Sequence, residues 1–144
     1  SLKAPDMCQF TQPGFNCNQK QHVLVADTDS NVRLIFQLDN SQGRPVKVLG
    51  VLCTDETSAN VNKAAVTPLP GGEVPLASGQ SHQFGNSTSQ VPCMKADGTT
   101  NVVLTSGSSF KGTLAVVYRF EDEVSDAPSR LAVATLSGTV QSED

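Results

Sequence analysis

NVRLIFQLDNSQGRPVKVLGVLC, residues 31–53, is the segment whose pattern decides the fold. Val32, Leu34, Phe36 and Leu38 alternate with Arg33, Gln37 and Asp39, the period of two that marks a half-buried strand. Asn40-Ser41-Gln42-Gly43-Arg44-Pro45 interrupts it with turn residues. Gly43 tolerates a positive φ, and Pro45, with no N–H to give a ladder, fits only at a strand start. Val46 to Cys53 then returns to β-branched residues and ends on a cysteine. Two strands and a short connection predict a hairpin, which needs further strands before it is stable.

Those strands are present on either side. Residues 22–26 (HVLVA) read as a short strand and 27–31 as a turn. Residues 54–62 read as loop or a single helical turn, and Pro68-Leu69-Pro70-Gly71-Gly72 ends anything regular. Residues 73–76, 79–84, 91–94 and 101–105 are short extended pieces; Pro75 restricts the first of them to an edge. Phe110, Gly112, Leu114, Val116, Tyr118 and Phe120 alternate with Lys111, Thr113, Ala115, Val117 and Arg119, and 130–140 (RLAVATLSGTV) returns as a second long hairpin. About eight or nine strands with almost no helix predict an all-β, antiparallel, two-sheet Ig-like sandwich. Its expected core includes Leu34, Phe36, Val48, Leu114, Val116, Tyr118 and Val133. Residues 1–21 form a separate N-terminal stapled segment, and 22–144 the sandwich domain.

At 144 residues the chain has the size of one domain, large enough for a real core. A net charge of -4 argues against nucleic acid as a partner. Cys8, Cys17, Cys53 and Cys93 make an even set with no Cys-x-x-Cys and only His22 and His82 to complete a zinc site. Two disulfides and an oxidising compartment follow as expectations. Nearness in sequence, with Pro13-Gly14 to turn the chain, favours Cys8–Cys17 and so Cys53–Cys93. The rival scheme, Cys17–Cys53 with Cys8–Cys93, stays open if the N-terminal segment lies along 46–53.

Chemistry is sparse. No G-x-S-x-G occurs, and neither histidine comes with a nucleophile and an orienting acid, so the chain does not read as an enzyme. Glu121-Asp122-Glu123 with Asp126 lacks the alternating spacing of a calcium loop and reads as a solvated charge run. Met7-Cys8 and Cys93-Met94 place sulfurs side by side, but no histidine follows Cys93 at the spacing of a copper ligand loop. No cofactor is expected. Asn86-Ser87-Thr88 is an N-glycosylation triplet in a polar loop, which makes Asn86 a candidate glycan acceptor.

Taken in order, these features resemble archaeal type IV pilin-like proteins. Cys8-Gln-Phe-Thr-Gln-Pro-Gly-Phe-Asn-Cys17 is similar to the Cys…Gly-hydrophobic-x-Cys segment that follows their membrane helix. Leu38-Asp-Asn40…Gly43…Val46-Lys-Val48 leads, as in that group, to a third cysteine. Gly107-Ser-Ser-Phe110-Lys-Gly112-Thr-Leu114-Ala-Val116-Val-Tyr118 is similar to their late strand, and Leu131 to Val140 to the closing one. The resemblance implies the soluble headgroup of an extracellular filament involved in adhesion or surface attachment. Its partners would be other subunits, met through an N-terminal apolar helix. That helix and its leader are expected before Ser1, with Leu2-Lys3-Ala4-Pro5 as the junction, and the isolated headgroup is expected to be monomeric. The alternative is a free Ig-like cell-surface module that binds a glycan or a protein.

Overall fold

A computed structural model describes residues 6–17, 22–124 and 126–142; the junction read at residues 2–5 lies outside them. Strand makes up 52% of the described residues, roughly twice the usual share, and no α-helix occurs among them. The strands are β1 (Met7–Phe10), β2 (Phe15–Cys17), β3 (Val23–Ala26), β4 (Val32–Asn40) and β5 (Val46–Thr54). They continue with β6 (Val74–Leu76), β7 (Ser81–Phe84), β8 (Val91–Met94), β9 (Ser109–Phe120), β10 (Arg130–Thr139) and β11 (Gln141–Ser142). Two 3-10 turns, Ser58–Asn60 and Lys63–Ala65, interrupt the long connection after β5.

The expected pair of separate sheets is instead one 11-stranded sheet with the main path β1-β10-β9-β5-β8-β4-β3-β11, curled into a half-barrel. The joint is β8. It runs parallel to β5 through Cys53↔Cys93 and antiparallel to β4 through Leu34↔Val91, so one short strand knits both halves together. Strands β2 and β7 add to β4, and β6 adds to β5.

β4 and β5 both form where the alternation puts them, but they do not pair. β4 bonds to β2, β3, β7 and β8, whereas β5 bonds to β6, β8 and β9. Residues 41–45 therefore cross from one half of the sheet to the other. Asn40, 1% exposed, holds that corner: its Nδ2 donates to the carbonyls of Arg44 at 2.8 Å and Leu76 at 2.9 Å, and its Oδ1 accepts from Gln42 N. A buried amide with its groups paired turns a would-be hairpin into an interlayer crossing. The second hairpin is as read, β9 and β10 pairing from Ser109↔Thr139 to Tyr118↔Arg130.

Both faces of the curl meet in a core where Leu34, Phe36, Leu38, Val46, Val48, Leu114 and Val116 are each 0% exposed. Tyr118 and Phe15 join them edge to face, ring centroids 4.8 Å apart. Val133 does not; it is half-buried, and its neighbours Ala134 and Leu136 face inward in its place. Residues 101–105 form no strand. Val32 N donates to Val102 O, Val102 N to Cys93 O and Leu104 N to Ser30 O, so the segment is wedged between neighbours and has no continuous ladder.

Candidate functional site

Two disulfides tie the sheet together. Cys8 pairs with Cys17 and Cys53 with Cys93, the first of the two schemes open to the sequence. Each bond links the two halves of the sheet. Cys8 lies on β1 beside β10, and Cys17 on β2 beside β4, so that bridge draws the open side of the curl together. Cys53 and Cys93 face each other across β5 and β8, on the closed side.

Cys53 points inward because of a bulge. Val48 opposes Tyr118, but Gly50 opposes Val117, so Leu49 is the extra residue. Past the bulge the inward set shifts from even to odd numbers, to Val51 and Cys53. Gly50 has a second use. A Cβ there would lie 2.7 Å from Thr67 O, so only glycine lets the proline segment rest on β5. Leu69 N accordingly donates to Leu49 O at 3.0 Å.

Beside that contact lies an apolar cleft of about 350 Å³. Val51 and Leu52 of β5 form one wall, Thr67, Pro68, Leu69 and Pro70 a second, and Phe84, Gly85 and residues 89–92 a third. No lining side chain carries a charge. Such a surface suits a neutral, largely apolar occupant with a few hydrogen-bonding groups. A second, more polar groove of about 450 Å³ runs past Thr11, Asp55, Glu56, Thr57, Lys111 and Thr135. At its edge Asp55 pairs with Lys95 Nζ, and that hydrogen bond holds the Lys95 ammonium above its ordinary pKa.

Asn86 stands exposed on the β7–β8 connection, in a turn closed by Asn86 N donating to Ser89 O at 2.8 Å. Its Oδ1 accepts from Thr88 N, Thr88 Oγ1 and Ser89 N, at 2.8, 2.8 and 2.9 Å. The acidic run is occupied by arginines. Arg44 reaches Asp122 at 2.6 Å and Arg130 reaches Glu123 at 3.1 Å, and both guanidinium groups stack on Phe120. These hydrogen bonds hold the Asp122 and Glu123 carboxyls below their ordinary pKa. His22 is buried with Nε2 3.2 Å from Ser137 O, while the exposed His82 lies edge to face on Phe84. Among the described residues no group of three or more His, Cys, Asp or Glu is set to hold a metal. Cys8 and Cys93 spend their sulfurs in disulfides, which removes the thiolate a copper site would need.

The cleft and the Asn40 corner escaped the sequence. The proline run shows in composition only as a terminator, and the cleft's walls come from positions tens of residues apart. No protein-family model, curated protein or solved structure matches the chain. Two disulfides fit an oxidising, extracellular-type compartment, and no helix among the described residues is long and apolar enough to cross a membrane.

Proposed function

We propose that the chain is the soluble headgroup of an extracellular archaeal type IV pilus-like filament, a structural subunit involved in adhesion or surface attachment. The observation that carries this is how the N-terminal end enters the fold. β1 pairs with β10 over Met7↔Ser137 to Phe10↔Ala134, and Cys8 within it is bonded to Cys17 on β2, which pairs with β4. Tension arriving through the residues before Asp6 would load β1 along its length. It would pass at once into both halves of the sheet. That arrangement suits a headgroup hung on an N-terminal helix. The order of the four cysteines and of the late strands supports the same family. In fold terms, the two halves of the curled sheet stand in for the two layers of an Ig-like sandwich.

The upstream coding sequence tests this. A run of about 20 apolar residues behind a short basic leader is expected before Ser1. A cleavable secretory signal in that place would instead favour the second reading, an Ig-like binding module, for which the neutral cleft is the supporting feature.

A further inference from the structure

We propose that Asn86 is an N-glycan acceptor and that the attached saccharide is the occupant of the apolar cleft beside it. Both halves of this rest on the turn at 86–89. Asn86-Ser87-Thr88 is the one Asn-x-Ser/Thr triplet in the chain. Its acceptor residue is exposed, and Oδ1 accepts three hydrogen bonds, two of them from Thr88. Donors on the carbonyl oxygen draw density out of the amide and make an Nδ2 proton easier to remove. Nδ2 itself has no partner among the described residues.

The reaction is transfer from a lipid-linked saccharide phosphate or diphosphate. The Nδ2–C1 bond forms as the C1–O bond to phosphate breaks. The lipid phosphate leaves with the bonding electrons, and one Nδ2 proton passes to the transferase's base.

The saccharide then emerges at the rim of the cleft. Gly85 and Ser89, at the two ends of the turn, both line it, and the 2.8 Å bond from Asn86 N to Ser89 O keeps Asn86 against that wall. The chemistry matches on both sides. The lining is uncharged, with Pro68, Pro92 and Val91 presenting apolar surface and Thr67 and Gln90 offering neutral hydrogen-bonding groups. Sugar rings present C–H faces and neutral hydroxyls, so they bury the former without stranding the latter. Filament subunit and free module are both exported, so the proposal stands or falls apart from the choice between them.

The test uses the chain isolated from the cells that make it, alongside Asn86→Gln from the same cells. Mass spectrometry should show a saccharide increment on the Asn86 peptide and none on the variant; an unmodified Asn86 overturns the proposal. Binding of a neutral naphthalene dye then reads the cleft. Several-fold brighter fluorescence is expected on Asn86→Gln, and on native chain whose glycan has been released, than on the intact glycoprotein. Release from the native chain keeps the test valid if the variant folds poorly. A glycosylated chain that binds the dye equally before and after release would refute occupancy of the cleft.

Discussion

Phe36 is 0% exposed and stacked on Phe84, ring centroids 5.0 Å apart, at the middle of β4. Phe36→Ala removes that ring from a packed core, and unfolding in urea should show a loss of about 3–5 kcal/mol. Acid should act through the surface carboxylates. Hydrogen bonds from the Thr100 hydroxyl, Thr100 N and Thr99 N hold the Asp97 carboxyl well below its ordinary pKa. Arg44 does the same for Asp122 and Arg130 for Glu123. At Asp27 desolvation works in the opposite direction, but the N–H groups of Asn31 and Asp29 and the charge of Arg33 outweigh it. Each folded pKa lies below its unfolded value, so between the two the unfolded chain binds more protons and stability rises with pH. Melting temperature should be flat near neutrality and fall below about pH 4.5, as the unfolded carboxylates begin to take up protons. Asp97→Asn keeps an acceptor but not the titration, so its acid decline should be shallower; an identical slope would rule out the Asp97 contribution. Alternation in the sequence was enough to find Leu34, Phe36, Val48, Leu114, Val116 and Tyr118. It failed at Val133 because on β10 the small Ala134 faces the core while the larger Val133 borders the polar groove, so size and hydrophobicity misled.

At the scale of elements, β4, β5, β9 and β10 were legible because each is long and regularly alternating. Their partners were less so. A five-residue connection such as 41–45 serves a hairpin or an interlayer crossing equally well, and a buried Asn40 that selects the crossing looks in sequence like any turn asparagine. The bulge at Leu49 is likewise silent: strict alternation from Val46 would leave Cys53 on the outer face, whereas the structure buries it at 0% exposure beside the buried Leu52. The disulfides give the element-scale prediction. With separations of 9 and 40 residues, loop entropy assigns about 3 kcal/mol to Cys8–Cys17 and about 4 kcal/mol to Cys53–Cys93. The double variant Cys53→Ala/Cys93→Ala should therefore lose more in denaturant than Cys8→Ala/Cys17→Ala. The reverse order would mean that closing the open side of the curl matters more than the length of the loop. All four cysteines are at most 7% exposed, so a thiol reductant should open neither bond until the fold is loosened by denaturant.

For the whole molecule, the fold class was readable and the closure was not. Strand counts and turn spacing identify an all-β domain, but merging two halves into one curled sheet depends on β8, four residues long, pairing on both its edges. The exposed edges are poor templates for aggregation. Pro75 interrupts the edge strand β6, and the net charge of -4 adds mutual repulsion. Sedimentation of the 144-residue chain should accordingly show a monomer at all concentrations tested; concentration-independent oligomers would place an assembly surface on the β-domain itself. The filament role is tested most directly on the cells that make this chain, by shearing off their surface filaments and identifying the subunits by mass spectrometry under non-reducing conditions. The chain should be recovered as a filament component, with its Cys8–Cys17 and Cys53–Cys93 peptides linked. Filaments that lack it, with the chain found only as free protein in the medium, would contradict the assignment.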